Sequence, residues 1–214
     1  MRERAVIVIA YNEEDNIGKL LSALDWEDVI AVVDGDDRTA DIASKYCEHV
    51  LKSREKRGYG RALIDGLAFA FSYGYKYATV MDVGTCDPDF LYVYTKDADI
   101  IVRARRGPIF SPRFLLSKIA ALCLSIATFS QVKDATFGYR TYNLKRIMAV
   151  LDGVRSNGHS TNMEILGLAL KNNLVVRYES VPYILDENSQ LKAKDLLEAL
   201  RCIIRLLFTP RLST

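Results

Sequence analysis

Short runs of β-branched residues alternate with stretches of helical period along nearly all of this 214-residue chain, and that alternation narrows the folds open to it. Ala5 to Ala10 reads as a strand, Glu13 to Leu24 as a helix and Val29 to Val33 as a second strand. Thr39 to Tyr46 then reads as a helix, Val50-Leu51 as a short strand, Gly58 to Phe71 as a helix and Tyr77 to Met81 as a strand. Further on, Ile100 to Arg105 predicts a strand, Pro112 to Ser130, Leu144 to Leu151 and Thr161 to Lys171 predict helices, and Leu174 to Tyr178 a last strand. Leu191 to Phe208 closes the chain as a basic amphipathic helix. The expected class is α/β, with a mostly parallel sheet flanked by helices on both faces. Neither a linker composition nor an internal repeat interrupts the pattern, so residues 1–214 are expected to form one domain, with 191–208 as its C-terminal amphipathic helix.

Composition removes several function classes. Hydrophobic residues at 50% and charged residues at 26% exclude a disordered or fibrous chain. A net charge of +2 offers no field on which to base nucleic-acid binding. Cys47, Cys86, Cys123 and Cys202 are scattered, without the paired spacing of a zinc site, and read as reduced thiols. The N-terminus runs directly into a strand pattern, so export by a signal segment is not expected. The longest apolar stretch, Phe114 to Phe129, carries Lys118 and falls short of the roughly 20 residues of a spanning helix. A cytoplasmic chain is expected, and the basic last helix offers either a peripheral contact with the inner membrane face or a dimer contact.

In sheets of this class ligands sit beyond the carboxyl ends of the strands, which selects the loops after Ala10, Val33 and Met81. These are Tyr11-Asn12-Glu13-Glu14, Asp34-Gly35-Asp36-Asp37 and Asp82 to Asp87, and they hold most of the clustered acids. A carboxylate at a strand end can accept from a base or ribose, and a second one further along the sheet can hold Mg²⁺ or Mn²⁺ against a diphosphate. Asp34 suits the first task and Asp82 the second.

Each feature alone also has an ordinary explanation. Asn12 and the acids after it suit a helix start, Asp34-Gly35 a turn, Gly58-Tyr59-Gly60 a tight connection, and Asp87-Pro88 the start of another helix. His159 reads as a loop residue, Glu164 as a solvated helix position, and Arg103, Arg105 and Arg106 as a solvated strand end. It is their order along the chain that carries weight.

Val8-Ile9-Ala10-Tyr11-Asn12-Glu13-Glu14 resembles the opening of family-2 glycosyltransferases of the GT-A fold. Val32-Val33-Asp34-Gly35, Gly58-Tyr59-Gly60-Arg61-Ala62-Leu63 and Met81-Asp82 leading to Asp87-Pro88 are similar to that family's second-strand loop, glycine-rich helix start and metal loop. Ala98 to Val102 with Arg105, and Asp134-Ala135-Thr136-Phe137-Gly138-Tyr139-Arg140, look like segments of the dolichol- and polyprenyl-phosphate sugar synthases. The resemblance implies a nucleotide-sugar site at Ala10, Tyr11, Glu13, Asp34, Arg61, Asp82 and Arg105, and a metal, Mg²⁺ or Mn²⁺, on Asp82 and Asp87. It also implies Asp82, Asp134 and Arg140 at the reacting centre, Arg140 with Arg105 on phosphates, and Asp134 as proton acceptor if the acceptor is a hydroxyl. The implied reaction is inverting transfer from a GDP-mannose or UDP-glucose type of donor, most naturally to a lipid phosphate.

The departures are specific. Gly84 stands where the family's D-x-D loop carries its second Asp, the second-strand loop is short, and Ser189-Gln190-Leu191 replaces a cationic segment. Arg105, Arg140, Arg177 and Lys192 are the cations left to neutralise phosphates. A chain that keeps the fold and binds a nucleotide or nucleotide-sugar without transfer is therefore the alternative reading. A nucleotidyltransferase is disfavoured, because the first strand does not lead into a Gly-rich, cation-bearing phosphate loop.

Overall fold

β1 (Arg2–Tyr11) is apolar on both sides from Ala5 to Ala10 because both of its faces are covered. Ala5, Ile7 and Ile9 pack into one core layer and Val6, Val8 and Ala10 into the other. The chain is described by a computed structural model for residues 2–25, 27–84, 86–91, 97–106, 112–182 and 193–210. After β1 come α1 (Ile17–Ser22), β2 (Val29–Asp34), α2 (Thr39–Ala43), β3 (His49–Ser53), α3 (Tyr59–Ser72) and β4 (Tyr75–Asp82). A single 3-10 turn at Pro88–Phe90 precedes β5 (Ile100–Arg106), α4 (Pro112–Thr128), β6 (Arg140–Asn143), α5 (Leu144–Leu151), α6 (Ser160–Lys171), β7 (Val176–Pro182) and α7 (Ala193–Phe208).

The expected α/β class is observed: one sheet of seven strands in the order β3-β2-β1-β4-β6-β5-β7, flanked by helices. β3, β2, β1 and β4 are mutually parallel, and so are β5 and β7. β6 is antiparallel to both β4 and β5 and joins the two blocks. The periodic reading misses β6, since Arg140-Thr141-Tyr142-Asn143 is short and half polar and its extended form comes from its neighbours. The Thr79 and Thr141 hydroxyls meet at 2.8 Å across the β4–β6 pair.

Two helices are shorter than their apolar pattern predicts. α1 begins at Ile17 and not at Glu13, because the preceding segment is tied to the next loop. The Glu13 amide donates to Thr39 Oγ1 at 2.7 Å, and Asn12, at φ +52°, accepts from the Asp36 amide and caps no helix. α2 likewise ends at Ala43.

Buried charge is the larger correction. Arg103 is no solvated strand end: it is fully buried, donates to Thr141 Oγ1 at 2.9 Å and to the Leu91 carbonyl at 3.2 Å, and lies over the Tyr139 ring. Glu164 is no solvated helix position either. It is 2% exposed, its Oε2 accepts from the Arg155 and Ser156 amides at 3.0 and 2.7 Å, and its Oε1 pairs with Arg205 Nε of α7 at 2.9 Å.

α4 and α7 pack against each other on the outside of the core. Leu115, Ile119, Leu122, Ile126 and Phe129 lie exposed along α4 and just past its end, as do Leu196, Leu197, Leu200, Ile204, Leu207 and Phe208 along α7. Among the described residues no helix is long and apolar enough to cross a membrane.

Removing Glu164 unpairs the Arg155 and Ser156 amides, while Arg205, 39% exposed, turns to water, so the cost is that of the unpaired amides at about 1–3 kcal/mol. Glu164→Ala is therefore expected to destabilise the chain by that order and to raise amide exchange in α7 before the sheet, measured by denaturant unfolding and hydrogen exchange.

Candidate functional site

The pairing registers bring the selected loops together. Tyr11 is level with Asp34 of β2, and Ile9 with Asp82 of β4, so the two carboxylates stand on either side of the end of β1. Ala10 is buried beneath this edge, Glu13 is half-buried above it, and Tyr11 is exposed with the Lys56 ammonium 3.8 Å from its ring centroid. Gly35, at φ +122°, is required here, because a side chain would run into Asn12 Oδ1.

Asp34 is almost entirely covered by a residue that sequence reasoning passed over. Its Oδ2 accepts from the Arg57 amide at 3.0 Å and its Oδ1 from Arg57 Nη2 at 3.1 Å. Arg57 also reaches Asp65 at 2.8 Å, and the exposed Arg61 pairs with the same Asp65 at 2.9 Å. Two acids and two cations thus alternate along this rim. The available signal was a cation immediately before the glycine-rich helix start, Arg57-Gly58-Tyr59-Gly60-Arg61.

Asp82 ends β4 half-buried beneath Gly138, where a Cβ would stand 2.7 Å from Asp82 Oδ2 and would collide with the Tyr59 hydroxyl. Glycine at 138 thus lets the 134–139 segment close over the carboxylate. Burial, and then the charge of Asp82, push the Tyr59 hydroxyl well above its ordinary pKa, so it stays protonated. Tyr59 accepts from Asn162 at 3.0 Å and stacks with His159 at 4.9 Å. Asp87 is half-buried and caps the 3-10 turn, accepting from the Asp89 amide at 3.0 Å. Gly84 is exposed at φ +81° with no atom of the described residues beyond its chain neighbours within 4 Å of the place of a Cβ, and Thr85 lies outside the described residues, as do Ser189 to Lys192 and part of the basic stretch after Arg106. Among the described residues no three acidic, His or Cys side chains gather as a metal cluster.

Of the remaining sequence-selected charges Asp134 and Arg105 pair with each other, and Arg140 turns to backbone carbonyls. Asp134 is 2% exposed, and its oxygens accept from Arg105 Nε at 2.8 Å and Nη2 at 3.0 Å and from the Thr136 and Phe137 amides at 3.1 Å. Arg105 also donates to Ser117 of α4 and to Thr136. Arg140 is fully buried and donates to the carbonyls of Ala135, Phe137 and Asn162. Burial pushes the Asp134 carboxyl up, but the charge and hydrogen bonds of Arg105 and the Phe137 amide outweigh it and hold its pKa below the ordinary value. Such a carboxylate is a poor proton acceptor near neutrality.

The glycosyl transferase family 2 model matches residues 5–99, which are β1 to β4 and the run up to β5. This likeness, carried by residues 5–99, supports a glycosyltransferase. The chain is 25% identical over 222 residues to an uncharacterised protein of Methanocaldococcus jannaschii, covering 94% of this chain and 90% of that one. It is 25% identical over 235 residues to a UDP-N-acetylglucosamine–dolichyl-phosphate N-acetylglucosaminyltransferase of Methanococcus voltae, covering 94% of each. A dolichol-phosphate mannosyltransferase of Pyrococcus furiosus is 28% identical, with 95% of this chain matching 63% of that protein. The fold is that of glucosyl-3-phosphoglycerate synthase from Mycobacterium tuberculosis, solved with Mn²⁺, UDP and phosphoglyceric acid, at a TM-score of 0.77 and 15% identity over 98% of this chain and 80% of that one. The chain therefore has the expected GT-A architecture.

Because the folded Asp134 pKa is lowered, its contribution to stability is present above the ordinary aspartate value of about 4 and is lost as pH falls through the lower folded value. Thermal unfolding of the parent should weaken as pH drops below about 4. Asp134→Asn should cost about 3–5 kcal/mol at pH 7 and show a shallower acid slope.

Proposed function

We propose that the chain transfers a sugar with inversion from a nucleotide-sugar to a polyprenyl phosphate at a membrane surface. The observation that carries this reading is the placing of two carboxylates, Asp34 and Asp82, beside the end of β1 in the family-matched half. The other half presents the exposed apolar face of α4 and α7. Asp34 with Arg57, and Tyr11 with Glu13, would take the nucleoside, and Arg61 on the same rim would lie beside the diphosphate. The relatives in Methanococcus voltae and Pyrococcus furiosus are named for transfer to dolichyl phosphate, which supports the lipid acceptor.

A divalent cation fits this loop in one mode. Asp82 and Asp87 supply two carboxylates, and Mg²⁺ commonly binds through one or two carboxylates with substrate phosphates and water completing its shell. When bound it would neutralise the charge developing on the departing diphosphate. Solved relatives of the fold contain Mn²⁺ or Mg²⁺ with UDP, which supports the same use.

In the reaction a phosphate oxygen of the acceptor forms a bond to the anomeric carbon as that carbon's bond to the nucleoside diphosphate breaks, the electron pair leaving with the diphosphate. The phosphate is already anionic, so no strong general base is needed. Asp134 and Arg140 accordingly serve to hold the 134–139 segment over Asp82, and the acceptor end is the β5–β7 edge. There a cleft of about 350 Å³ is lined by Arg106, Ser180, Val181 and Pro182. Arg106, which donates to Ser180 Oγ at 3.2 Å, is the cation among these lining residues.

Gly84 favours a second reading, in which donor binds and no sugar moves, since one expected metal ligand is missing. Titration calorimetry with UDP-glucose and GDP-mannose, each with Mn²⁺ and with EDTA, followed by a transfer assay on polyprenyl phosphate, separates the two. Asp82→Ala is expected to weaken metal-dependent donor binding at least about tenfold, equivalent to about 1.4 kcal/mol. Unchanged binding by that variant would refute the assignment of Asp82.

The apolar face makes a separate prediction. The parent should float with phospholipid vesicles, and Leu122→Asp with Ile126→Asp should abolish flotation while donor affinity is kept. A parent that stays in the aqueous fraction as a dimer would assign this face to a second copy.

A further inference from the structure

Four consecutive amides of the loop between α5 and α6 are held by two carboxylates. Arg155 and Ser156 donate to Glu164, and Asn157 and Gly158 donate to Glu198 of α7 at 3.2 and 3.0 Å. With its backbone fixed on that side, Asn157 points its remaining groups at the start of α3, about a hundred residues earlier in the chain. Its Nδ2 donates to the Arg57 carbonyl at 2.7 Å, its Oδ1 accepts from the Arg61 amide at 2.9 Å, and its carbonyl accepts from the Gly60 amide at 3.0 Å.

This contact accounts for the two glycines. A Cβ on Gly58, which lies at φ +103°, would fall 2.7 Å from Asn157 Nδ2, and one on Gly60 would fall 2.8 Å from Asn157 Cα. The amides of Gly60 and Arg61 are among the first-turn donors that a helix leaves unsatisfied and that elsewhere bind phosphate. Here Asn157 takes them. The glycine-rich start of α3 is built to receive this side chain and not a diphosphate.

We infer that Asn157 is a positioning residue of the donor site, acting through Arg57, with Glu198 on α7 as its support. Arg57 is held on both sides: its carbonyl by Asn157, and its amide and guanidinium by Asp34. Loosening the carbonyl frees the backbone that sets the guanidinium over Asp34, and with it the face that Asp34 offers the nucleoside. The inference rests on the donor-site reading above and adds a residue, and a link to the C-terminal helix, that neither the family-matched segment nor the glycine motif contains.

The test is titration calorimetry with UDP-glucose and GDP-mannose on the parent, Asn157→Ala, Asn157→Asp, Arg57→Ala and the Arg57→Ala/Asn157→Ala double variant, with thermal unfolding of each. Asn157→Ala is expected to weaken the bound donor about tenfold, but to add less than about twofold in the Arg57→Ala background. Asn157→Asp keeps the acceptor for the Arg61 amide and loses the donor to the Arg57 carbonyl. The carboxylate oxygen that replaces Nδ2 is repelled by the Arg57 carbonyl, so this variant should lose donor affinity although the cap on the Arg61 amide is kept, which a helix-capping role alone would not produce. If Asn157→Ala does not fold, Glu198→Gln probes the same support from α7 and should weaken donor about threefold. Equal losses from Asn157→Ala in the presence and absence of Arg57, or parental affinity in Asn157→Asp, would overturn the inference. A folded parent that binds neither nucleotide-sugar overturns the donor-site reading itself, and the positioning role falls with it.

Discussion

Asp134 and Arg140 bracket a segment with no regular secondary structure, and they do for it what a hydrogen-bond ladder does for a strand. Asp134 gathers amides and the Arg105 guanidinium, while Arg140 gathers carbonyls, so both kinds of backbone group are bound by buried side chains. A buried charge is tolerated only when its partners are complete, and these charges are completed largely by the segment they shape. Gly138 is thereby pressed onto Asp82, β6 is delivered between β4 and β5, and α4 is fastened to the end of β5 through Ser117. If either charge lost its partners, the two parallel blocks of the sheet would lose the piece that joins them.

This dependence explains what could be read in the chain and what could not. The strands β1 and β2 and the second half of β4 were legible because burial on both faces leaves a mainly apolar run, the edge strand β3 only through its Val50-Leu51 pair, and α3 because its apolar spacing repeats over 14 residues. β6 was not legible, since four half-polar residues take their conformation from strands far away in sequence. Arg103 and Glu164 were misread for a related reason: their partners, Thr141 and Leu91 for one, Arg155, Ser156 and Arg205 for the other, are set by tertiary contacts that no local pattern reports. At the candidate site the order of motifs located Asp34 and Asp82, whereas Arg57, Asp65 and Asn157 emerged only with the geometry. Asp134, Arg105 and Arg140 were found as a group, but that Asp134 and Arg105 satisfy each other while Arg140 binds backbone carbonyls became visible only in the fold.

The family match ends at Asp99, one residue before β5, and the molecule divides at the same place. On one side stand the parallel strands, with Asp34 and Asp82 at the ends of β2 and β4. On the other are the antiparallel strand, the second parallel pair and the two helices with exposed apolar faces. In the reaction proposed above the first half would meet the nucleotide, whose chemistry many enzymes share, and the second would answer to the acceptor. Glu198 and Arg205 lie on the inner side of α7 and tie that second half back to the first through the 155–158 loop.

Gly84 sets open space against a constrained backbone in the loop after β4. Where a catalytic ligand is lost and neighbouring side chains move into the space, the loss becomes permanent, because restoring the ligand would require repacking. Here no described atom lies within 4 Å of where a side chain at 84 would begin, and the backbone, at φ +81°, is of the left-handed kind that Asp and Asn enter more readily than most residues. A carboxylate at this position would therefore need no repacking, but it would carry the strain of a backbone that L side chains rarely adopt. The cost of gaining one is conformational and held in a single residue, not spread over its neighbours.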